Sequence, residues 1–316
     1  MVIKQRILQS FLSTLVIFCL LFIQGCIKPA IHQVTSDPHQ KLRQPGMIYS
    51  TQSGLSISYT KLLNELTTSR FILVGEKHDN PHHHQLELML LQDLQNKSHT
   101  RVVLEMLDEQ QTSNLDELTP RNKTEEIKDI LNWNDRSWPW DDYGPLISSA
   151  LANGNQIAAG NLSKPLLMQI YKHSLPEEAR FETVKAVPET IQAAILQQVY
   201  DSHCQAIPLT QMEPMAQIQI SRDASMAFAM NHQLPANAQS ILFAGAFHAR
   251  KDSGVPLHLK MLSEEKSSTL LLIEIEEEET QDRGLSEEDK KLADYIWFTP
   301  RSEKKDYCAS LRQQSH

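Results

Sequence analysis

Two short runs in this 316-residue sequence share one pattern: Gly75-Glu76-Lys77-His78 and Gly245-Ala246-Phe247-His248 each place a histidine three residues after a glycine. Each follows an apolar run, Phe71–Val74 in one case and Ser240–Ala244 in the other. A further apolar run, Arg101–Leu104, ends at Glu105, and Gln156–Ala159 ends in Gly160-Asn161. Imidazoles and carboxylates together are the donors of divalent-metal sites and of general acid–base chemistry. Glycine at such a turn lets the backbone reverse sharply and approach closely. Taken singly, a strand-end His or Glu caps a helix or pairs with a neighbour. Glu76, His78, Glu105 and His248 together, brought to one sheet edge, make a site.

The elements that must bring them there alternate. Met47–Tyr59 reads as a hairpin turning at Ser53-Gly54, and Tyr59–Leu66 as a helix. Phe71–Val74 is a continuous apolar run of the kind a buried parallel strand requires. Asn80-Pro81 then supplies an N-cap and a first-turn proline for a helix carrying Leu86, Leu90 and Leu94. Arg101–Leu104 and Gln156–Ala159 are the next strands, with helical segments to about Leu131, an aromatic knot from Trp133 to Tyr143, and a helix from about Pro145 between them. Helices follow at about 163–173, 189–203 and 211–232, then strands at Ser240–Ala244, Thr269–Glu276 and Tyr295–Phe298. The polar stretch Glu276–Lys291 reads as a solvated excursion. The expectation is an α/β fold, a mostly parallel sheet with helices on both faces and additional helical segments. Ligands of such sheets bind beyond the carboxyl ends of the strands.

Composition narrows the class. A net charge of −9 and a pI near 5.8 speak against a nucleic-acid partner. Residues 1–25 read as a signal peptide: Lys4 and Arg6, an apolar stretch from Ile7 to Ile23, then Gly25-Cys26. The Ile23-Gln24-Gly25-Cys26 end resembles the bacterial lipobox, which implies cleavage before Cys26 and lipidation there. Ile27, not Asp, follows, which favours an outer-membrane address, lipid-anchored and facing the periplasm. Residues 26–45 form the lipidated tether and 46–316 a single α/β domain. Loss of Lys4 and Arg6 takes the charge from −9 to −11. Of four cysteines only Cys204 and Cys308 then remain, either bridged or buried as free thiols.

On the segments FILVGEKHDNPHHHQLELMLL, RVVLEML, WPWDDY, AAGN, DSHCQAIP, QISRDASMA, ILFAGAFHARKDSGVPLHL and ADYIWFTP, in order through about residues 46–308, the sequence resembles the ChaN family of haem-binding lipoproteins. That family is grouped with the Tiki metalloproteases, the TraB proteins and the erythromycin-esterase-like enzymes. The resemblance implies a haem-binding lipoprotein of the outer membrane, active in haem and iron uptake, associated with an outer-membrane haem receptor and able to dimerise around haem. It links iron ligation to a tyrosine, and Tyr143 in the Trp-rich motif is the first choice. His78 and His248 are the supporting imidazoles. Arg250, close behind His248, is a partner for the haem propionates. In the wider superfamily the positions matching Glu76, His78, Glu105 and His248 form a metal or active site.

Two functions follow from one architecture. A haem-binding protein needs an apolar slot, an axial ligand and cationic partners for carboxylates. The alternative is a metal-dependent hydrolase, in which a divalent metal ion on Glu76, His78, Glu105 and His248 activates water. Gly-x-Ser-x-Gly, Walker A, Rossmann and HExxH patterns are absent from the sequence. The haem-binding reading is preferred to an enzyme. Of His82, His83 and His84, in a first helical turn, one is placed to join the site and the others face solvent, because successive helical residues point about 100° apart.

Overall fold

The computed structural model describes residues 45–95, 100–172, 175–275, 285–303, 306 and 308–309. The expected signal peptide, Cys26, nearly all of the tether, and residues 276–284 of the expected acidic excursion lie outside the described residues. In chain order the elements are β1 (Ile48–Ser50), β2 (Leu55–Ile57), α1 (Tyr59–Leu66), β3 (Phe71–Glu76), α2 (Pro81–Gln95), β4 (Thr100–Asp108), α3 (Thr112–Leu115), α4 (Thr124–Ile130), α5 (Trp140–Ala152), β5 (Gln156–Asn161), α6 (Lys164–Lys172), α7 (Glu189–Ser202), α8 (Glu213–Asn231), β6 (Gln239–Gly245), α9 (Ala246–Ala249), α10 (Val255–Leu262), β7 (Ser267–Ile275), α11 (Asp289–Leu292) and β8 (Tyr295–Pro300). The fold is α/β, as expected.

The strands form one eight-stranded sheet in the order β2-β1-β8-β7-β3-β6-β4-β5. Pairs β8-β7, β7-β3, β3-β6, β6-β4 and β4-β5 are parallel, and the β1-β2 hairpin joins antiparallel at the β8 side. Alternation along β3 explains why its apolar run is continuous: Ile72 and Val74 enter one core with Leu90, Leu91 and Ile147, while Phe71 and Leu73 enter another with Met226, Met230 and Leu259. A third cluster, with Phe181, Ile195, Val199, Met212 and Ile220, binds α6, α7 and α8 together.

Two local signals act as read. The Ser58 hydroxyl caps α1 by accepting from the Lys61 N–H, and the Asn80 side chain caps α2 by accepting from the His82 N–H. Two boundaries differ from expectation. β4 does not stop at Glu105 but runs to Asp108, with a register shift against β5 between Leu104 and Asp108. Such a bulge re-aims side chains, and it leaves Glu105 inside a strand. Helix α5 starts at Trp140 rather than near Pro145, so Tyr143 is helical and Pro145 lies within the helix. Burial of Trp140, Tyr143, Leu146 and Ile147 outweighs the backbone hydrogen bond that the proline forfeits.

Candidate functional site

The sheet order itself assembles the site. The chain leaves β3, skips one position to lay down β4 and β5, and returns much later with β6 to fill the gap. That is a switch point, where open α/β sheets leave a crevice beyond the strand ends. Glu76 closes β3 and pairs in register with Gly245, the last residue of β6. Glu105 stands on β4, the other neighbour of β6. All four site residues expected from the sequence, Glu76, His78, Glu105 and His248, therefore meet.

They meet as an alternating line of acids and imidazoles. Glu76 is 2% exposed. Its Oε1 lies 2.9 Å from His78 Nδ1, and its Oε2 lies 3.1 Å from His84 Nε2. Glu105 Oε2 lies 3.5 Å from His78 Nε2 and accepts the Gly245 N–H at 2.8 Å, while its Oε1 lies 3.4 Å from His248 Nε2. His248 Nδ1 lies 2.5 Å from Asp223 Oδ1, and at the other end His84 Nδ1 lies 3.4 Å from Asp142 Oδ1. The Gln219 amide lies 3.1 Å from the His248 ring.

The charges follow from these contacts. Burial alone would keep Glu76 protonated, yet His78 and His84 hold it down to about 2. Burial works against the charge of His78, but Glu105 and Glu76 outweigh it and raise the imidazole to about 11. The same balance, with Glu105 and Asp223 as partners, raises His248 to about 9. Burial pushes Asp223 up to about 6, against the pull of His248. Glu105 lies well below the usual carboxylate range in spite of its burial, because His248 and His78 face it. Glu87, buried behind Glu76, is pushed the other way by burial and by the Glu76 charge.

In front of this line opens a cavity of about 690 Å³, a size suited to a cofactor. Glu76, His78, Glu105 and His248 form its polar floor; Val199, Met215, Ile218, Phe247, Leu272 and Ile273 form apolar walls. Lys77, Arg222 and His203 line it as well. Lys77 is engaged by Asp79, Glu274 and Ser302. Arg222 makes no ion pair among the described residues, and its Nε is buried without a hydrogen-bond partner.

The remaining expected residues are placed as follows. Tyr143 is 1% exposed and its hydroxyl donates to Glu76 Oε1 at 2.9 Å, so it supports the acid from behind and does not reach the cavity. Arg250 is absent from the lining because Asp252, two residues on, holds its guanidinium in two hydrogen bonds. Among the described residues no group of three or more His, Cys, Asp or Glu is arranged to hold a metal ion. Of the three adjacent histidines only His82 is exposed. His83 is buried, accepting the Lys77 N–H on Nδ1 and bonded to Thr299 through Nε2, and burial lowers it to about 4. His84 joins the site.

The aromatic knot packs behind the site. Trp138 meets the His78 ring edge-on at 4.9 Å, Trp133 packs on Trp140, and none of these tryptophans lines the cavity. Sequence reasoning did not single out Asp142, Gln219 or His203, and it left open which of His82, His83 and His84 joins the site. A histidine in the last turn of a helix was the one signal available for His203. Cys204 and Cys308 form a disulfide, so the bridged alternative holds. It ties the C-terminal segment to the end of α7.

No curated protein matches the sequence. Among solved structures, the chain is similar to the protein described as "Cofacial heme binding to ChaN of Campylobacter jejuni", at 25% identity and a TM-score of 0.66, covering 79% of this chain and 95% of that one. The type III effector HopBA1 is 11% identical, with a TM-score of 0.45, covering 84% of this chain and all of that one. An erythromycin esterase in its open conformation is 15% identical, with a TM-score of 0.42, covering 68% and 72%. The family model described as "Haem-binding uptake, Tiki superfamily, ChaN" matches residues 62–259, well over half of the sequence, and the chain belongs to that family.

Proposed function

We propose that this protein is an outer-membrane-tethered lipoprotein that binds haem in the cavity above Glu76, Glu105 and His248 and serves haem or iron uptake. The observation that carries the reading is the cavity itself: apolar walls of Val199, Met215, Ile218, Phe247, Leu272 and Ile273 beside a cation, Arg222, that lacks an ion-pair partner among the described residues. A porphyrin has the matching chemistry, a broad apolar face and two carboxylates. When bound, haem would supply an iron centre whose chemistry depends on the protein group that ligates it. The chain's own residues do the rest. The apolar walls exclude water, Arg222 receives a carboxylate, and the Glu–His line holds the floor rigid.

The family assignment and the likeness to the C. jejuni protein support haem as the ligand. Phe247, 48% exposed at the cavity rim, supports a second copy of the chain closing over the ligand. The N-terminal run ending in Gly25-Cys26 supports lipid anchoring, and the Cys204–Cys308 bridge is consistent with an oxidising compartment. The direct test is a haemin titration of the domain from residue 46 onward, read at the Soret band and by sedimentation. The expected result is a saturable spectral change accompanied by dimer formation. A linear, unsaturated response would remove the haem reading.

A further inference from the structure

We propose that the Cys204–Cys308 bridge is a redox latch on the cavity. Closed, it ties the α7 wall to the sheet wall; reduced by a dithiol, it frees the α7 wall and lets the ligand go. Ligand release rests on the haem-binding reading of this cavity, whereas the loosening of α7 does not. The latch has two fixings, and both adjoin residues that line the cavity. At one end Ser302, just past β8, donates its N–H and its hydroxyl to Glu274 Oε1 at 2.9 and 2.6 Å, and Lys77 Nζ donates to the Ser302 Oγ at 2.8 Å. Lys77 and Glu274 belong to the cavity lining. The Asn80 side chain donates to the same Glu274 oxygen at 2.8 Å, so this end is fastened to β7 and to the start of α2 together. At the other end Cys308 is joined to Cys204, the residue after His203. Ser202 and His203 line the cavity from the end of α7. From Ser302 to Cys308 the chain can span at most about 20 Å, so while the bridge is closed the two walls cannot part beyond that reach.

The end of α7 has little else to hold it. The helix packs through Ile195 and Val199. Past Val199 the N–H groups of His203, Cys204 and Gln205 donate to the carbonyls of Val199, Asp201 and Tyr200, all on the same helix. Cys204 and Gln205 adopt left-handed conformations at φ 59° and 56°, which cost free energy in residues other than glycine. Freed from Cys308, this turn can relax away from the cavity. Neither cysteine belongs to the three hydrophobic clusters, so the bridge fastens the cavity rim and not the core. Both cysteines are half-buried, and a partly exposed disulfide is open to thiol exchange. A thiolate of the dithiol attacks one sulfur of the bridge, which breaks the Cys204–Cys308 bond and forms a mixed disulfide. The second thiolate of the dithiol then displaces the protein sulfur. The dithiol leaves as a disulfide, having given up two electrons, and its two protons end on Cys204 and Cys308.

Two measurements on the full chain test the latch. The first is hydrogen–deuterium exchange without any ligand, before and after dithiothreitol. Reduction is expected to speed exchange over residues 198–205 and to leave β3 and β6 unchanged. Unchanged exchange over 198–205, or a rise that spreads through β3 and β6, would overturn the latch, the second by making the bridge a staple of the whole fold. The second measurement is haemin release into excess apomyoglobin. Cys308→Ser, which needs no added reductant, should release haemin faster by about ten-fold. Ser302→Ala keeps the bridge and frees the same strap at its other end, so it should speed release as well. Release at the unsubstituted rate from both variants would overturn the proposal while leaving haem binding in place. Failure of the unsubstituted protein to bind haemin would remove the haem reading, and the exchange measurement would still decide the latch.

Discussion

The two Gly-x-x-His runs are the same pattern on adjacent parallel strands, yet they do different work. Their register is offset by one residue: Gly75 pairs with Ala244, and Gly245 with Glu76. A one-residue offset in a strand exchanges the faces to which side chains point. After β3 the chain enters a loop, so Glu76 points inward and the His78 side chain stays 36% exposed. After β6 it turns at once into α9, and the His248 side chain is only 6% exposed. The glycines differ accordingly. A Cβ on Gly245 would meet His78 Nε2 at 2.7 Å, so this glycine makes room for an imidazole. A Cβ on Gly75 would meet Leu271, Ala249 and the Cα of Ala246 at 2.5–2.9 Å, so that glycine makes room for a helix. One motif tells of chemistry at one strand and of packing at the next.

The largest expected effect comes from the residue the two histidines share. Glu105→Gln leaves His78 and His248 without their common counter-charge, and breaking a buried ion pair from one side costs about 3–5 kcal/mol. Urea unfolding should show that loss. A change of a few tenths would mean that Glu76 and Asp223 suffice. The glycines come next and separate the motifs. Gly75→Ala presses on backbone and should destabilise by about 1–3 kcal/mol, with ligand binding altered only through stability. Gly245→Ala presses on the far end of a side chain that can swing, so it should cost less stability and more haemin affinity. Equal stability losses would erase the distinction.

The smallest effect lies in pH. His248 and His78 have folded values of about 9 and 11, above the ordinary 6.5, so their contribution to stability is complete below pH 6.5. It is lost as pH rises through 9 for His248 and only later for His78. His83, lowered to about 4, acts in the opposite direction: its contribution is present above pH 6.5 and lost as pH falls toward 4. Histidine titration by NMR should place the His248 transition below that of His78. Reversed order would show that the exposed ring, not the buried one, is held less tightly.

Much of this was legible in the sequence because it rests on local pattern. Continuous apolar runs mark β3, β4, β5 and β6, and the topological rule for parallel sheets brings Glu76, His78, Glu105 and His248 together without further information. What failed was non-local or depended on competition. Arg250 looks available until Asp252 claims it. Tyr143 lies on α5, which begins at Trp140, and its hydroxyl donates to Glu76, a contact that no spacing in the sequence indicates. His84, Asp142 and Asp223 complete the charged line from other helices, and no spacing in the sequence links them.

The central claim is that the cavity between the β6–α9 turn and helices α7 and α8 is the haem site. Crystals of the haemin-loaded domain, with anomalous scattering collected at the iron edge, test it most directly. The iron peak is expected in that cavity, within the apolar walls of Met215, Ile218 and Phe247. A peak elsewhere, such as the cleft along β5 lined by Arg101, Phe228 and His232, would contradict the account.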